Sequence, residues 1–206
     1  MTPAEAETFA RCMAVGGVAV FPADTVYGLA CEPDTPDAVR RLYALKGRSP
    51  GKPAAVMFFA LDLALEALPE LGPRARSALE RLLPGAVTVL LPNPLGRFPL
   101  ACGPDPATLG LRVPALTGAL APLAALRWPV LQSSANAAGG ADARTLVAVP
   151  AAIRAGADMV LDGGVLAGTP STVVDLRRWE AEGEWRVLRE GAVTAERIGR
   201  SLGGRW

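Results

Sequence analysis

Short apolar runs recur along this 206-residue chain, each bounded by a turn or a helix-start signal. They read "VAVF", "AAVMFF", "AVTVLL", "LGLRV", "WPVLQ", "DMVLDGG", "STVVDL" and "EWRVLRE". Runs this short suit buried strands better than helices. Strands alternating with helical segments, with no long linker between them, restrict the chain to an α/β fold with a twisted, partly parallel sheet. Thr2-Pro3-Ala4-Glu5 is a capping box with proline at the first helical position, so a helix is predicted over 3–15, closed by Gly16 and Gly17. Pro36 opens a second, "PDAVRRLYALK", on which Val39, Leu42 and Tyr43 share an apolar stripe with Lys46. Further helices are predicted over 74–83 and near 115–126, 148–155 and 194–202. "STVVDL" and "EWRVLRE" read as antiparallel partners joined through "RRWEAEGE". The length suits one substantial domain with a real core.

Composition removes several chemistries. The chain has no histidine, which excludes histidine acid–base catalysis and histidine metal ligation. Ser–His and Cys–His nucleophile pairs go with it, so covalent acyl transfer is not expected. Cys12, Cys31 and Cys102 are isolated from one another, which indicates neither a zinc site nor a disulfide framework. A net charge of +1 gives no global attraction to nucleic acid or anionic membranes. The acidic, amphipathic N-terminus is no signal peptide, and "VPALTGALAPLAAL" is too short to span a bilayer and carries Pro114 and Pro122. The sequence therefore reads as a soluble protein.

The polar residues that remain gather in loops at strand ends. "FPADTVYGLA" places Asp24, Thr25 and Tyr27 directly after a strand. "LKGRSPGKP" holds Lys46, Arg48 and Lys52, and those are the chain's two lysines beside nineteen arginines. They either complement a helix C-terminus or offer compact cations to a phosphate. The loop is no Walker A motif, having one residue too few between its glycines and Pro53 where a hydroxyl must hold magnesium. In "QSSANAAGG", Ser133, Ser134 and Asn136 are either a capped turn or donors for an anion. Ser171 and Thr172 stand at the mouth of "STVVDL". Arg112, inside the apolar "LGLRVP", needs a carboxylate across the sheet or a ligand anion. Together these groups suit a nucleoside triphosphate and a small zwitterion, with catalysis by positioning and charge stabilisation.

Seven segments in register ("FPADTVYGLACEP", "LKGRSPGKPAAVMF", "PGAVTVLL", "LGLRVP", "SSANAAGG", "LDGG" and "PSTVVDL…WRVLREGA") resemble the YrdC/TsaC family of L-threonylcarbamoyladenylate synthases, from about Val18 to Ala192. The resemblance is to the short form, without the extra C-terminal domain of longer members. It implies a single YrdC-like α/β domain with a twisted mixed sheet, flanking helices and a deep cationic cavity. It also implies formation of L-threonylcarbamoyl-AMP and pyrophosphate from L-threonine, bicarbonate and ATP, with Mg2+ accompanying ATP, toward N6-threonylcarbamoyladenosine in tRNA. The expected setting is the cytoplasm, with a downstream threonylcarbamoyl-transferase complex as partner, room for a weak RNA contact, and no membrane. Carried over by motif, Lys46, Arg48, Ser134 and Asn136 are the expected catalytic set. Lys46, Arg48, Lys52, Ser134, Asn136, Ser171 and Arg189 would bind ATP. Thr25, Tyr27, Thr88, Arg112, Ser171 and Thr172 would bind threonine. The resemblance leaves the magnesium ligands open.

Ala23, Ser49 and Met57 depart from the family pattern, and the threonine side of the pocket is expected to differ there. Two competing readings are a non-catalytic double-stranded RNA-binding or translation-associated module, and a carbamoyl-adenylating module of hydrogenase maturation. Balanced charge and the absence of interleaved surface aromatics speak against the first. The absence of zinc-binding cysteine pairs speaks against the second.

Overall fold

The computed structural model describes residues 1–49 and 51–203; Pro50, within the lysine-bearing loop, and residues 204–206 lie outside the described residues. The helices are α1 (Pro3–Ala14), α2 (Pro36–Lys46), α3 (Leu61–Ala67), α4 (Pro73–Leu82), α5 (Pro99–Cys102), α6 (Ala151–Gly156), α7 (Trp179–Glu182) and α8 (Ala195–Leu202). The strands are β1 (Val18–Pro22), β2 (Tyr27–Cys31), β3 (Ala55–Met57), β4 (Val87–Pro92), β5 (Thr108–Arg112), β6 (Val130–Ser134), β7 (Met159–Val160), β8 (Thr172–Asp175) and β9 (Arg186–Arg189). They form one nine-stranded sheet in the order β7-β1-β2-β6-β3-β5-β4-β8-β9. The β1/β7, β3/β5 and β4/β8 pairs are parallel and the others antiparallel. Among the described residues no helix is long and apolar enough to cross a membrane.

Local signals explain most of these elements. The Thr2 hydroxyl accepts from the Glu5 amide and the Glu5 carboxylate accepts from the Thr2 amide, completing the capping box of α1. Gly47 closes α2 in the left-handed region at φ 60°, with Arg48 N donating to Tyr43 O at 2.9 Å. Lys46 therefore ends α2 on its buried stripe of Ala38, Val39, Leu42 and Tyr43, and Arg48 starts the loop beyond. Some expectations change: α3 and α5 are not among the predicted helices, and α7 falls within the expected "RRWEAEGE" turn. The helix expected near 115–126 is a 3₁₀ segment over Gly118–Ala125, because Pro122 removes an interior amide donor. The strand β2 was not predicted. Its five residues are all buried, so it lacks the polar alternation that marks a half-exposed strand.

Side-chain alternation divides the sheet into two chemistries. On one face Val18, Val20, Tyr27, Leu29, Val56, Leu109, Leu111, Val89 and Val174 join the main core, which also takes in α2, α4 and α8. The opposite face is covered over only part of its width. There Ala19, Phe21, Ala30, Met57 and Val130 pack against Phe9 and Met13 of α1 and Leu123 of the 3₁₀ segment. Phe9 is fully buried, with ring centroids 5.4 Å from Phe21 and 6.1 Å from Phe59. Beyond Met57 the same face carries small and polar residues, with Leu90 and Val173 between them, and stays open.

Ala23 and Met57 are fully buried in this second cluster, so two of the departures from the family pattern fall in the core. Since α1 roofs this part of the sheet through Phe9, Phe9→Ala should lower unfolding free energy by about 3–5 kcal/mol, read by urea titration.

Candidate active site

The open part of the sheet is a concave floor. Two cross-strand rows build it: Gln132–Ala55–Gly110–Leu90 across β6, β3, β5 and β4, and Arg112–Thr88–Val173–Arg189 across β5, β4, β8 and β9. Ala55 and Gly110, the smallest of these, lie at its centre. A Cβ added at Gly110 would meet Ala54 O at 3.4 Å and Ala55 Cα at 3.5 Å, ordinary van der Waals contacts. The resulting cavity measures about 460 Å³. Its charged lining residues are Arg48, Arg112, Arg177 and Arg189 against Asp105 and Asp142.

One corner belongs to Lys46. Its Nζ donates to Ser134 O at 2.5 Å, Asn136 O at 3.0 Å and Ser134 Oγ at 3.2 Å, and also to Asn136 Oδ1. Ser134 Oγ donates to Asn136 Oδ1 at 2.7 Å, and Asn136 Nδ2 donates to Gly140 O at 2.5 Å. Lys46 thus ties the end of α2 to the loop after β6, helped by Ala138 N donating to Lys46 O at 2.9 Å. Burial and the nearby Arg48 guanidinium pull the Lys46 ammonium down to about 8, while Asp142 opposes the shift. Arg48 donates from Nη2 to Pro53 O at 2.6 Å and lies over the Tyr43 ring, and its buried Nε has no partner among the described residues. Lys52, from the same loop, is exposed and does not line the cavity.

The opposite corner belongs to Arg112, whose side chain is 3% exposed. Its Nη2 donates to Thr25 Oγ1 at 2.6 Å and to Asp24 Oδ1, while Asp24 Oδ2 accepts from Ala115 N at 3.0 Å. The partner that sequence reasoning required for Arg112 is therefore Asp24. Asp24 bonds a distant strand rather than its own turn. Burial draws the Arg112 guanidinium below the ordinary arginine value and Asp24 counters it. Beside it, the Thr88 and Ser171 hydroxyls share a hydrogen bond of 2.8 Å, and Arg189 Nη2 donates to Ser171 O at 2.8 Å.

Of the expected site residues, Arg48, Thr88, Arg112, Ser134, Ser171 and Arg189 line this one cavity, and Lys46 and Asn136 adjoin it through Ser134. Three expected threonine contacts do not line it. Tyr27 sits on the other face of β2, since alternate residues point to opposite sides. Its hydroxyl donates to Asp162 Oδ1 at 2.8 Å, with Gly164 O at 2.9 Å, and accepts from Gly163 N at 2.9 Å. Burial first, then the Asp162 bond, push the phenol up to about 12. Thr172 likewise faces away from Ser171 and Val173, donating to Val193 O at 2.5 Å and accepting from Gly191 N and Val193 N. Thr25 is 1% exposed and spends its hydroxyl on Arg112.

Sequence reasoning missed the far wall. Asp175 binds Arg177 through Nε at 2.9 Å and Nη2 at 2.8 Å, and Arg177 Nη1 donates to Thr108 Oγ1 at 3.2 Å. Those bonds hold the Asp175 carboxyl down at about 2. The alternation of "TLGLR" could have placed Thr108, Gly110 and Arg112 on one face, but nothing local links Arg177 or Asp142 to them. If Tyr27 is a scaffold residue, Tyr27→Phe should cost about 1–3 kcal/mol in urea unfolding, by stranding Gly163 N, and leave ligand affinity unchanged in calorimetry.

Comparison with known proteins now adds the lineage. A family model described as Sua5_yciO_yrdC, telomere recombination, matches residues 11–191. A threonylcarbamoyl-AMP synthase of Pseudomonas paraeruginosa is 36% identical over 179 residues, covering 83% of this chain and 92% of that protein. One of Pyrococcus abyssi is 29% identical over 193 residues, covering 91% of this chain, which spans only 54% of that longer relative. The crystal structure of P. abyssi Sua5 complexed with L-threonine has a TM-score of 0.84 at 26% identity, over 98% of this chain and 58% of that one. By the family match over most of its length, the chain belongs to the Sua5/YciO/YrdC family.

Proposed function

We propose that this chain joins L-threonine, bicarbonate and ATP into L-threonylcarbamoyl-AMP and releases pyrophosphate, supplying the activated group for N6-threonylcarbamoyladenosine in tRNA. The observation that carries the reading is the pairing of two cation-bearing corners at one cavity: Ser134, backed by Lys46 and Asn136, and Arg112 with Thr88 and Ser171. The identity of 36% to a threonylcarbamoyl-AMP synthase supports it. The product is a labile mixed anhydride, so a transferase must receive it, and the reaction is placed in the cytoplasm with tRNA modification.

Threonine's neutral amine takes up the carbon of bicarbonate, with loss of water, to give a carbamate. A carbamate oxygen then bonds to the α-phosphorus of ATP. The bond from that phosphorus to its bridging oxygen breaks, and pyrophosphate leaves with the electron pair. No protein nucleophile is required, so a site without histidine suffices. Lys46 and Arg48 gather the charge on the phosphates, with Arg189 on the cavity wall and exposed Lys52 in the Arg48 loop adding to the field. Ser134 and Asn136 hold Lys46 and turn it toward the nucleotide. Arg112 meets the threonine carboxylate, and the Thr88–Ser171 hydroxyl pair lies beside it for the threonine side chain. Thr25 acts through Arg112, while Tyr27 and Thr172 secure backbone outside the cavity.

Magnesium enters with the triphosphate. Among the described residues no three carboxylate or thiol groups cluster as a metal site, and the carboxylates lining the cavity are Asp105 and Asp142. That donor set fits an ion held chiefly by phosphate oxygens and water, whose contribution is to neutralise phosphate charge.

Incubation with the three substrates should yield threonylcarbamoyl-AMP by mass spectrometry. Lys46→Ala should abolish it, by about a hundredfold or more, without loss of fold by circular dichroism; activity within a few-fold of wild type would refute the phosphate role. A pH profile gives a second check. Lys46 is charged below about 8 and neutral above, so kcat/KM for ATP should fall above that pH by up to about tenfold per unit. Lys46→Arg, which stays charged, should lack this inflection even where its rate is lower.

A further inference from the structure

We propose that Asp24 is a positioning residue for the substrate's carboxylate, fixing the Arg112 guanidinium so that Nη1, unbonded among the described residues, is left to meet it. The inference rests on the proposed function, and it concerns a carboxylate that does not itself line the cavity.

The geometry is specific. Arg112 lies on the cavity wall, at the last position of β5, and its side chain is 3% exposed against 8% for Asp24. Both hydrogens of Nη2 are matched by acceptors, Asp24 Oδ1 and Thr25 Oγ1 at 2.6 Å. None of these bonds uses Nη1, and the buried Nε has no partner among the described residues. The guanidinium therefore presents one satisfied end to the hairpin loop and one unsatisfied end elsewhere. A guanidinium is planar, so fixing one nitrogen by two acceptors fixes the plane in which the remaining N–H groups point.

Asp24 is itself held. Its second oxygen accepts from Ala115 N at 3.0 Å, and the loop that carries it is closed by Ala23 N donating to Val26 O at 3.3 Å. Next to it, Thr25 O accepts from Gly168 N at 2.8 Å. Asp24 thus has no freedom to turn toward a ligand, and its charge is already committed to Arg112. A residue that merely balanced charge would need only proximity. This one is anchored from two sides and spends one oxygen on a single nitrogen, which is the arrangement that sets an angle.

The test compares L-threonine with L-threoninamide, which lacks the carboxylate, by calorimetry on wild type and Asp24→Asn. The variant keeps the side chain's shape and loses its charge. Affinity for L-threonine should fall roughly 10–100-fold, while affinities for L-threoninamide and ATP stay close to wild type. In steady state the change should appear in KM for threonine rather than KM for ATP. An unchanged threonine affinity, a tighter one, or an equal loss for both ligands would overturn the inference. Should Asp24→Asn fail to fold, Asp24→Glu serves instead. It keeps the charge but moves the carboxylate by one methylene, and the threonine-over-threoninamide preference should then drop by at least about threefold; no drop overturns the proposal. Wild type that binds no threonine at all would instead refute the proposed function.

Discussion

A full positive charge in a sheet interior is tolerated only with a partner, and the neighbourhood of Arg112 is organised around that requirement. Leaving such a guanidinium unpaired would cost about 3–5 kcal/mol, a large share of a domain's stability. The partner comes from the hairpin between β1 and β2, far away in sequence. To deliver Asp24, the hairpin loop has to be fixed, and it is: by its own turn, by the 168 loop through Thr25 O, and by the start of β2 through Tyr27. The backbone of Tyr27 donates to Ala143 O and accepts from Ala135 N, both at 2.8 Å, so the loop that carries Asn136 is gripped at both ends by one residue. The two chemically distinct corners of the cavity are consequently not independent. Each is held in place by the same short hairpin.

The Lys46 corner solves a different problem. An ammonium with four oxygens around it is well satisfied in the absence of any ligand, yet burial and Arg48 keep its proton loosely held. A phosphate arriving there would add negative charge, which favours the protonated form and strengthens the attraction. Ser134 and Asn136 belong to this corner as acceptors first. Their value lies in orienting a flexible four-carbon side chain that would otherwise spread over many rotamers.

How much of this was legible in the sequence follows from where each signal resides. Helix ends were readable because their determinants are local: the Thr2–Glu5 box, Pro36 and Gly47. Which strand residues face the cavity was readable in principle from period-two alternation, and that rule is what separates Ser171 from Thr172 and removes Tyr27 from the pocket. It could be applied only where the strand itself was seen. "YGLAC" is buried on both faces and carries no alternation, so β2 has no local signature and only the motif speaks for Tyr27. Pairings across long separations had no local signature. Arg112 calls for a carboxylate or a ligand anion, but Asp24 as its partner, and Asp175 as the clamp on Arg177, come from the order of strands in the sheet. Ala23 shows the converse error: it stands beside pocket residues in sequence and yet points into the α1 core.

Gly110 carries one more implication. It is not there for a backbone conformation that side chains avoid, and an added methyl would find ordinary contacts rather than a clash. Its smallness, with that of Ala55, creates space for a guest and does little for the sheet, whose apolar packing is supplied by the opposite face. Room for the ligand and robustness of the scaffold are thus governed by different residues on alternating positions of the same strands. A lineage with this layout can reshape what it accepts by small changes at the floor while the interior that keeps it folded is inherited untouched.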